Sequence, residues 1–354
     1  MLARLSIALP FAFHVPAEIE LKPIDVQWNG RPARLFPLRQ SKLLAEAGAD
    51  QAVASSLIAP ADNAVVSPYV QIDNAATHAV DLMEVEFHSD SYDRSPSQVP
   101  ERDSLIEDGF ALVNRWTTTY RNLMSATWVK PVAPQKCSWR LNYLNDDGTE
   151  LAQEEGLIRA SVGFFMNVPG VGALVADSWQ AIGDLVPDYV PFRWDELLVD
   201  ALELLPAIGP PILLAYTALE IRISDAADVL ATERKVHAEV WEWFTLKRAI
   251  VVRPETEEFA KAVFRMLAGK SLADETELWQ TFVDLRRARN SFAHEGVARD
   301  SSGKEVTPDK AAQLVAGARQ VLDWIENLLP ESNRRKQFAP TSTLTIVTPA
   351  IRVQ

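Results

Sequence analysis

One short stretch, Asp284-Leu285-Arg286-Arg287-Ala288-Arg289-Asn290-Ser291-Phe292-Ala293-His294-Glu295-Gly296, gathers residue types that can do chemistry together. Histidine is the side chain type suited to taking or giving a proton near neutral pH, and the stretch holds one, His294. Arg289 offers a planar fork of donors suited to a phosphate. On a helix at about 100° per residue, with Leu278 at zero, Phe282 falls near about +40°, Leu285 near about −20° and Phe292 near about −40°. These four form an apolar stripe, and Arg289, at about +20°, falls in its middle. A guanidinium there must find partners, because unpaired burial is costly. Asn290 and His294 are four apart, share a face and can hydrogen-bond, which would fix the imidazole tautomer. Arg289 and His294 are about 140° apart on a straight helix. They converge only if the helix ends near His294 or a second copy of the chain supplies one of them.

Plainer readings stand beside each signal. His294 near a helix end can simply complement the C-terminal dipole or cap. Arg286 and Arg287 can be solvated, pair with Asp284 and Glu295, or support a phosphate. Glu220 can orient a base or form an ordinary ion pair with Arg222 or Lys247. Trp241, Trp243 and Trp279 read as core before they read as base-stacking platforms. Arg334-Arg335-Lys336 reads as a solvated linker before an RNA arm. Three other patterns fail on composition. Gly269-Lys270-Ser271 has Phe264 where a phosphate loop needs its first glycine. His294-Glu295 lacks the second histidine of a zinc protease motif, since position 298 is Ala. Gly170-Val171-Gly172 lacks the third glycine of a dinucleotide site. His88, Asp90 and Asp93 fall in a Ser-rich run that reads as a surface loop.

The Arg289-Asn290-x3-His294 pattern resembles the HEPN family (higher eukaryotes and prokaryotes nucleotide-binding domains). That family carries an Arg, a polar residue that is often Asn, and a His four to six residues after the Arg, near the end of a helix in a small bundle. The preceding Leu285-Arg286-Arg287-Ala288 and the following Gly296 resemble it too. So do Trp194-Asp195-Glu196-Leu197-Leu198-Val199-Asp200-Ala201 and Ala215-Tyr216-Thr217-Ala218-Leu219-Glu220, which look like the opening helices of several HEPN groups. The likeness covers about residues 192–330, under half the chain. It implies a metal-independent endoribonuclease whose two motifs face each other across a homodimer. His294 would serve the ribose 2′-hydroxyl and the leaving oxygen, Arg289 would hold the scissile phosphate, and Asn290 would orient His294 or a phosphate oxygen. Arg286 and Arg287 would support substrate binding. Growth-arrest and anti-phage effectors have this kind of architecture. One subgroup carries His-x-Tyr, with the Tyr modified by a partner enzyme; here Gly296 stands at that position, so that route of regulation is not implied.

These residues need a scaffold, and the chain changes character to supply one. To about residue 165 a two-residue period dominates. Leu5, Ile7 and Leu9 alternate as a first strand; Ile19 and Leu21, then Ile24, Val26 and Trp28, lead into Asn29-Gly30, a hairpin turn signal before Ala33 and Leu35. Val65-Val66, residues 69–72, 80–87 and 139–143 read as further strands, with Asp146-Asp147-Gly148 as a turn and one helix over about residues 105–125. From about residue 193 the pattern is helical: 195–205, a helix opened by Pro210-Pro211 with Ile212, Tyr216, Leu219, Ile223 and Leu230 on one face, then 233–249, 255–268, 274–294 and 308–329. Thr307-Pro308 is an N-cap followed by an N1 proline, and Gly269, Gly296 and Gly303 mark stops or loops. Residues 342–353, rich in Thr, Ile and Val, have the composition of a strand returning to the β-rich half.

The expected organisation is α+β: a β-rich sensing or substrate-positioning domain over residues 1–165, a connection over 166–191, an all-α, HEPN-like helical bundle over 192–330, and a tail over 331–354. The longest uncharged runs, 160–176 and 204–219, are broken by Gly or Pro and fall short of a membrane span. The first 17 residues read as a strand before a signal peptide. The lone Cys137 cannot form an internal disulfide, which fits a reducing cytoplasm. No cofactor or metal-ligand set is evident. RNA, a second copy and a regulatory protein or trigger at the N-terminal domain are the expected partners, with no membrane. The competing reading is a non-catalytic HEPN-like nucleotide- or protein-binding module. A metal hydrolase would require His14, His78 or His88 to converge with carboxylates. With 48 acidic against 35 basic side chains, net −13, the chain is no general nucleic-acid coat. Non-specific RNA binding should therefore be weak, with a shallow dependence on salt. A salt titration checks this, and a steep slope reporting many phosphate contacts would contradict it.

Overall fold

Alternation along the first sixteen residues makes one long strand. In β1 (Leu2–Pro16) the odd-numbered side chains Ala3, Leu5, Ile7, Leu9, Phe11, Phe13 and Val15 are all buried, as the two-residue period of a strand requires. Pro10 does not end the strand. It is exposed where pairing with β5 (Ala75–His88) slips between Ala8 and Phe13, a bulge that tolerates a residue without an N–H. The computed structural model describes residues 1–16, 18–39, 70–72, 75–89, 99–156, 174–245 and 254–336. They fall into two units, Met1–Val190 and Pro191–Gln337.

The first unit is built on a seven-stranded antiparallel sheet in the order β2-β3-β5-β1-β6-β7, with β4 also paired to β5. Here β2 is Ile24–Trp28, β3 Arg31–Arg39, β4 Val70–Ile72, β6 Trp139–Leu144 and β7 Glu150–Gly156. Asn29 and Gly30 both have positive φ, 51° and 76°, which matches the twist of a two-residue hairpin. Residues 19–21 are not a strand: after Pro16 the Ile19 amide turns back to the Pro16 carbonyl at 3.1 Å. Helix α1 (Val99–Leu123) lies on the buried face, close enough that a Cβ on Gly109 would stand 2.4 Å from Leu5. Its Trp116 and Tyr120 meet Phe13 at ring distances of 5.5 and 5.0 Å, and Trp128 joins at 5.2 Å. Helix α2 (Ala176–Leu185) packs into the same core. Its Trp179 lies 4.8 Å from Trp116 and its indole N–H donates to the Lys22 carbonyl at 2.8 Å. The expected strands at 65–66 and 342–353 and most of the uncharged run at 160–176 lie outside the described residues.

The second unit is helical. It comprises α3 (Arg193–Glu203), α4 (Gly209–Glu233), α5 (Ala238–Thr245), α6 (Thr256–Glu258), a π-helical turn (Phe259–Val263), α7 (Phe264–Ala268), α8 (Thr276–Glu295) and α9 (Pro308–Glu326). The start and stop signals act as their chemistry dictates. Pro210 and Pro211 sit in the first turn of α4, and the Thr307 side chain accepts the Lys310 amide ahead of Pro308. Gly269 and Gly296, at φ 73° and 75°, close α7 and α8 in the left-handed region. The helix read at 233–249 starts later, at Ala238, because Lys235 takes φ 55° and breaks the chain before α5, and residues 246–249 lie outside the described residues. Leu198, Ile212, Leu219, Ile223, Phe264, Phe282, Leu285, Leu322 and Ile325 form the core. Gly209 lets the Phe292 ring lie against the start of α4, where a Cβ would come within 2.0 Å of it.

Buried charges cross this core. Arg222 donates to Glu326 at 2.6 Å and to the Asn333 carbonyl at 2.9 Å. Its guanidinium also stands 5.2 Å from the rings of both Phe192 and Trp194. Asp195, with no exposed surface, receives Arg319 at 3.1 Å and Arg335 at 2.9 Å. Glu326 also accepts the Arg335 amide at 2.5 Å. Arg335 is thus neither solvated linker nor RNA arm; its charge is needed inside. Among the described residues no helix is long and apolar enough to cross a membrane. Arg222→Met should leave Glu326 buried without its partner and destabilise the helical unit by about 3–5 kcal/mol. Urea unfolding followed by circular dichroism measures this, and a loss under about 1 kcal/mol would contradict it.

Candidate functional site

Helix α8 carries every residue singled out by spacing, and its packing sets their directions. Phe282, Leu285, Ala288 and Ser291 are its buried line after the first turn, with Asp284 beside them. Leu278 and Phe292 pack only partly against the core. The inward stripe is therefore turned from the one expected: small Ala288 lies at its centre and Arg289 at its edge. The Arg289 side chain is 32% exposed.

Arg289 reaches the neighbouring α4. Its Cζ lies 5.6 Å over the Tyr216 ring and its Nη2 is 3.8 Å from Glu220. Nη1 donates to the Asn290 side-chain oxygen at 2.9 Å, while Nε is buried without a partner. Tyr216 and Glu220 are four apart on α4, so both address Arg289 from one face. Glu220 does not take Arg222, which belongs to Glu326, and Lys247 lies outside the described residues. Burial, reinforced by the Glu220 charge, pushes the Tyr216 hydroxyl up to about 12, against the opposing pull of Arg286, the nearby Thr256 hydroxyl and Arg289. Tyr216 therefore stays protonated at neutral pH and supports Arg289 as a neutral ring, not as a base.

Asn290 is half-buried and turned to Arg289, so its oxygen does not hold His294. His294 is exposed in the last turn of α8 and has no hydrogen bond or ion pair with a described residue. Helical geometry continues through Glu295 before Gly296 closes it. The divergence of about 140° between Arg289 and His294 therefore stands within one chain. Arg286 does not pair with Asp284 or Glu295. It donates to Glu255 at 2.6 Å and to Glu257. Arg287 is exposed and makes no ion pair with a described residue. Trp279 stacks on Phe282 at 5.6 Å and the Trp241 indole donates to Asp228 at 2.7 Å, both structural roles, whereas Trp243 is half exposed. Spacing alone missed Tyr216 as a partner of Arg289; the Tyr216-x3-Glu220 pair facing a helix with an unmatched arginine is the signal that could have found it.

The loop after His294 is pinned to the helix before it. Asp284 accepts from Gln280 at 3.0 Å, the Ser301 hydroxyl at 2.5 Å and Lys310 at 3.1 Å. The Arg299 amide donates to the Ser291 hydroxyl at 2.8 Å. Among the described residues no group of three or more His, Cys, Asp and Glu side chains is placed to hold a metal ion. His14 and His88 pair with opposite ends of the β1–β5 ladder and do not converge, and the side chain of His78 lies outside those described. Compared with protein-family models, curated proteins and solved structures, the chain matches none.

Burial alone would raise the Asp284 carboxyl, but the hydrogen bonds from Ser301, Lys310 and Gln280 outweigh it and hold the group below its ordinary 3.8. A carboxylate held low stabilises the fold fully above its unfolded value and loses that contribution as pH falls through the lower folded one. Asp284→Asn should cost about 1–3 kcal/mol at neutral pH. It should also flatten the loss of helical-unit stability below about pH 4. Thermal melts of parent and variant across pH 2–7 measure both, and parallel curves would refute the assignment.

Proposed function

We propose that the helical unit is a HEPN-like, metal-independent endoribonuclease acting as a homodimer, with Arg289 and His294 in the chemistry. The observation that carries this is the state of the two side chains near the end of α8. Arg289 is propped on Tyr216 with its Nε unsatisfied, and His294 is exposed with no partner among the described residues. Both are groups with bonding capacity left to use. In the reaction the ribose 2′-oxygen attacks the adjacent phosphorus and His294 takes its proton. The bond to the 5′-oxygen breaks, and that oxygen leaves carrying the proton that His294 gives back, yielding a 2′,3′-cyclic phosphate and a 5′-hydroxyl. Arg289 neutralises the charge that gathers on the phosphoryl oxygens. Because Arg289 and His294 diverge on one helix, the reading requires a second copy whose α8 faces the first. Asn290 fits a role in orienting Arg289 rather than His294. Arg287, exposed and unpaired among the described residues, is the cation best placed to meet RNA first. A role in growth arrest or defence is part of the same proposal, with the β-rich unit selecting substrate or receiving a trigger.

A second reading has its own observation. The Arg289–Glu220 pair lies within one chain, as expected of a non-catalytic bundle that binds nucleotides or proteins. Cleavage of mixed cellular RNA in EDTA separates the two. The parent should cleave, and His294→Ala, at an exposed position, should lose about 100-fold or more. Arg289→Ala should lose about as much. Mixing the two inactive variants should restore part of the activity if each site draws on both copies. Absence of cleavage by the parent at any protein concentration would favour the binding module.

A further inference from the structure

The start of α6 presents two acidic side chains, Glu255 and Glu257, to the candidate site. Glu255 accepts from Arg286 Nη2 at 2.6 Å, and Glu257 accepts from Nη1 of the same guanidinium. One short acidic segment thus holds both terminal nitrogens of Arg286. Arg289, one turn further along α8, lies over the Tyr216 ring. Glu220, Glu255 and Glu257 set three carboxylates against the two guanidinium groups of Arg286 and Arg289. Folded this way, the pair of arginines offers no net positive charge to a phosphodiester.

The contacts on Arg286 copy those of a phosphate. Two oxygens meet its two terminal nitrogens, the geometry in which an arginine takes a phosphodiester. They are also superficial, with Glu255 64%, Glu257 34% and Arg286 32% exposed, so water and ions compete for them. Anchoring α6 to α8 would need one such carboxylate. The helix start is already secured by the reciprocal capping of Glu255 and Glu258, in which Glu257 has no part. The second acid on Arg286 is therefore surplus to structure.

Resting on the ribonuclease reading above, we propose that Glu255-Thr256-Glu257 is an acidic clasp that occupies Arg286 in the resting protein as a stand-in for an RNA phosphodiester. RNA engages by displacing the two carboxylates, so the clasp sets a threshold that weak, non-specific RNA does not cross. Glu257 is its principal element, because it serves nothing else.

The test measures binding apart from cleavage. A fluorescein-labelled single-stranded RNA of mixed sequence is titrated with the full chain and followed by anisotropy at low salt. Parent, Glu257→Gln, Glu255→Gln/Glu257→Gln and the same double variant with Arg286→Ala are compared. Each Gln keeps the shape and removes the charge. Glu257→Gln should tighten binding several-fold and the double variant about tenfold, equivalent to loss of about 1.4 kcal/mol of competing ion pairing over the two contacts. Adding Arg286→Ala should abolish the gain. Unchanged or weaker binding by Glu257→Gln, with its circular dichroism melt intact, would overturn the clasp and leave Glu257 a structural tie. Should the double variant fold poorly, Glu257→Gln alone decides. Tighter binding without cleavage by any variant would uphold the clasp and sink the nuclease. Cleavage by the parent with no gain in binding by Glu257→Gln would do the reverse.

Discussion

The helical unit depends on keeping charges inside its core and satisfying every one of them. Asp195 on α3, Arg222 on α4 and Glu326 on α9 are all buried, and each needs at least one of the other elements or the segment after α9 to complete its bonds. Such pairs add little net stability, because desolvation offsets attraction, but a single unmatched member is severely destabilising. They therefore act as a selector among packings. Once Arg222 is turned toward α9, Glu220, two residues earlier, lies about 200° round the helix. Glu220 and Tyr216 are then left facing α8, where Arg289 meets them. The direction of the candidate site follows from a charge pair outside it.

Around that site the balance of charge is as informative as the presence of arginine. Arg286 and Arg289 are the groups a phosphate would seek, yet each already faces an acid. The overall excess of acidic residues makes this local economy consistent with the whole chain. A protein of this charge gains little from long-range attraction to nucleic acid. Recognition must instead come from close contacts that exchange one anion for another, or from the β-rich unit.

Much of the scaffold was legible because its signals are local. Asn29-Gly30 demands positive φ at two successive residues and made the hairpin; Thr307-Pro308 and Gly296 set helix ends through their own chemistry. The alternation in β1 survived Pro10 because a bulge absorbed it. The phase of α8 was harder to read. Hydropathy weights Leu278 and Phe292, whereas close packing selected small Ala288 and Ser291 for the inner line. The partners of charged residues were least legible. Arg335 finds Asp195 across 140 positions, and Arg286 finds Glu255 and Glu257 across 31 and 29. No period or spacing encodes such pairings; they exist only once the helices have packed.

The π-helical turn at Phe259–Val263 bears on all of this. A π turn holds one residue more than an α turn closes around, so it offsets the helix before it by about 100° relative to the helix after it. With that offset, Glu257 meets Arg286 on one side of the turn while Arg265 meets Asp274 at 2.5 Å on the other. Removing Lys261 or Ala262, the two exposed residues of the turn, would relax it to a plain α-helix and rotate Glu257 off Arg286, with the apolar content of the core almost unchanged. The grip on Arg286 is thus recorded in chain length rather than in residue identity. Single-residue deletions here would release it more surely than most substitutions.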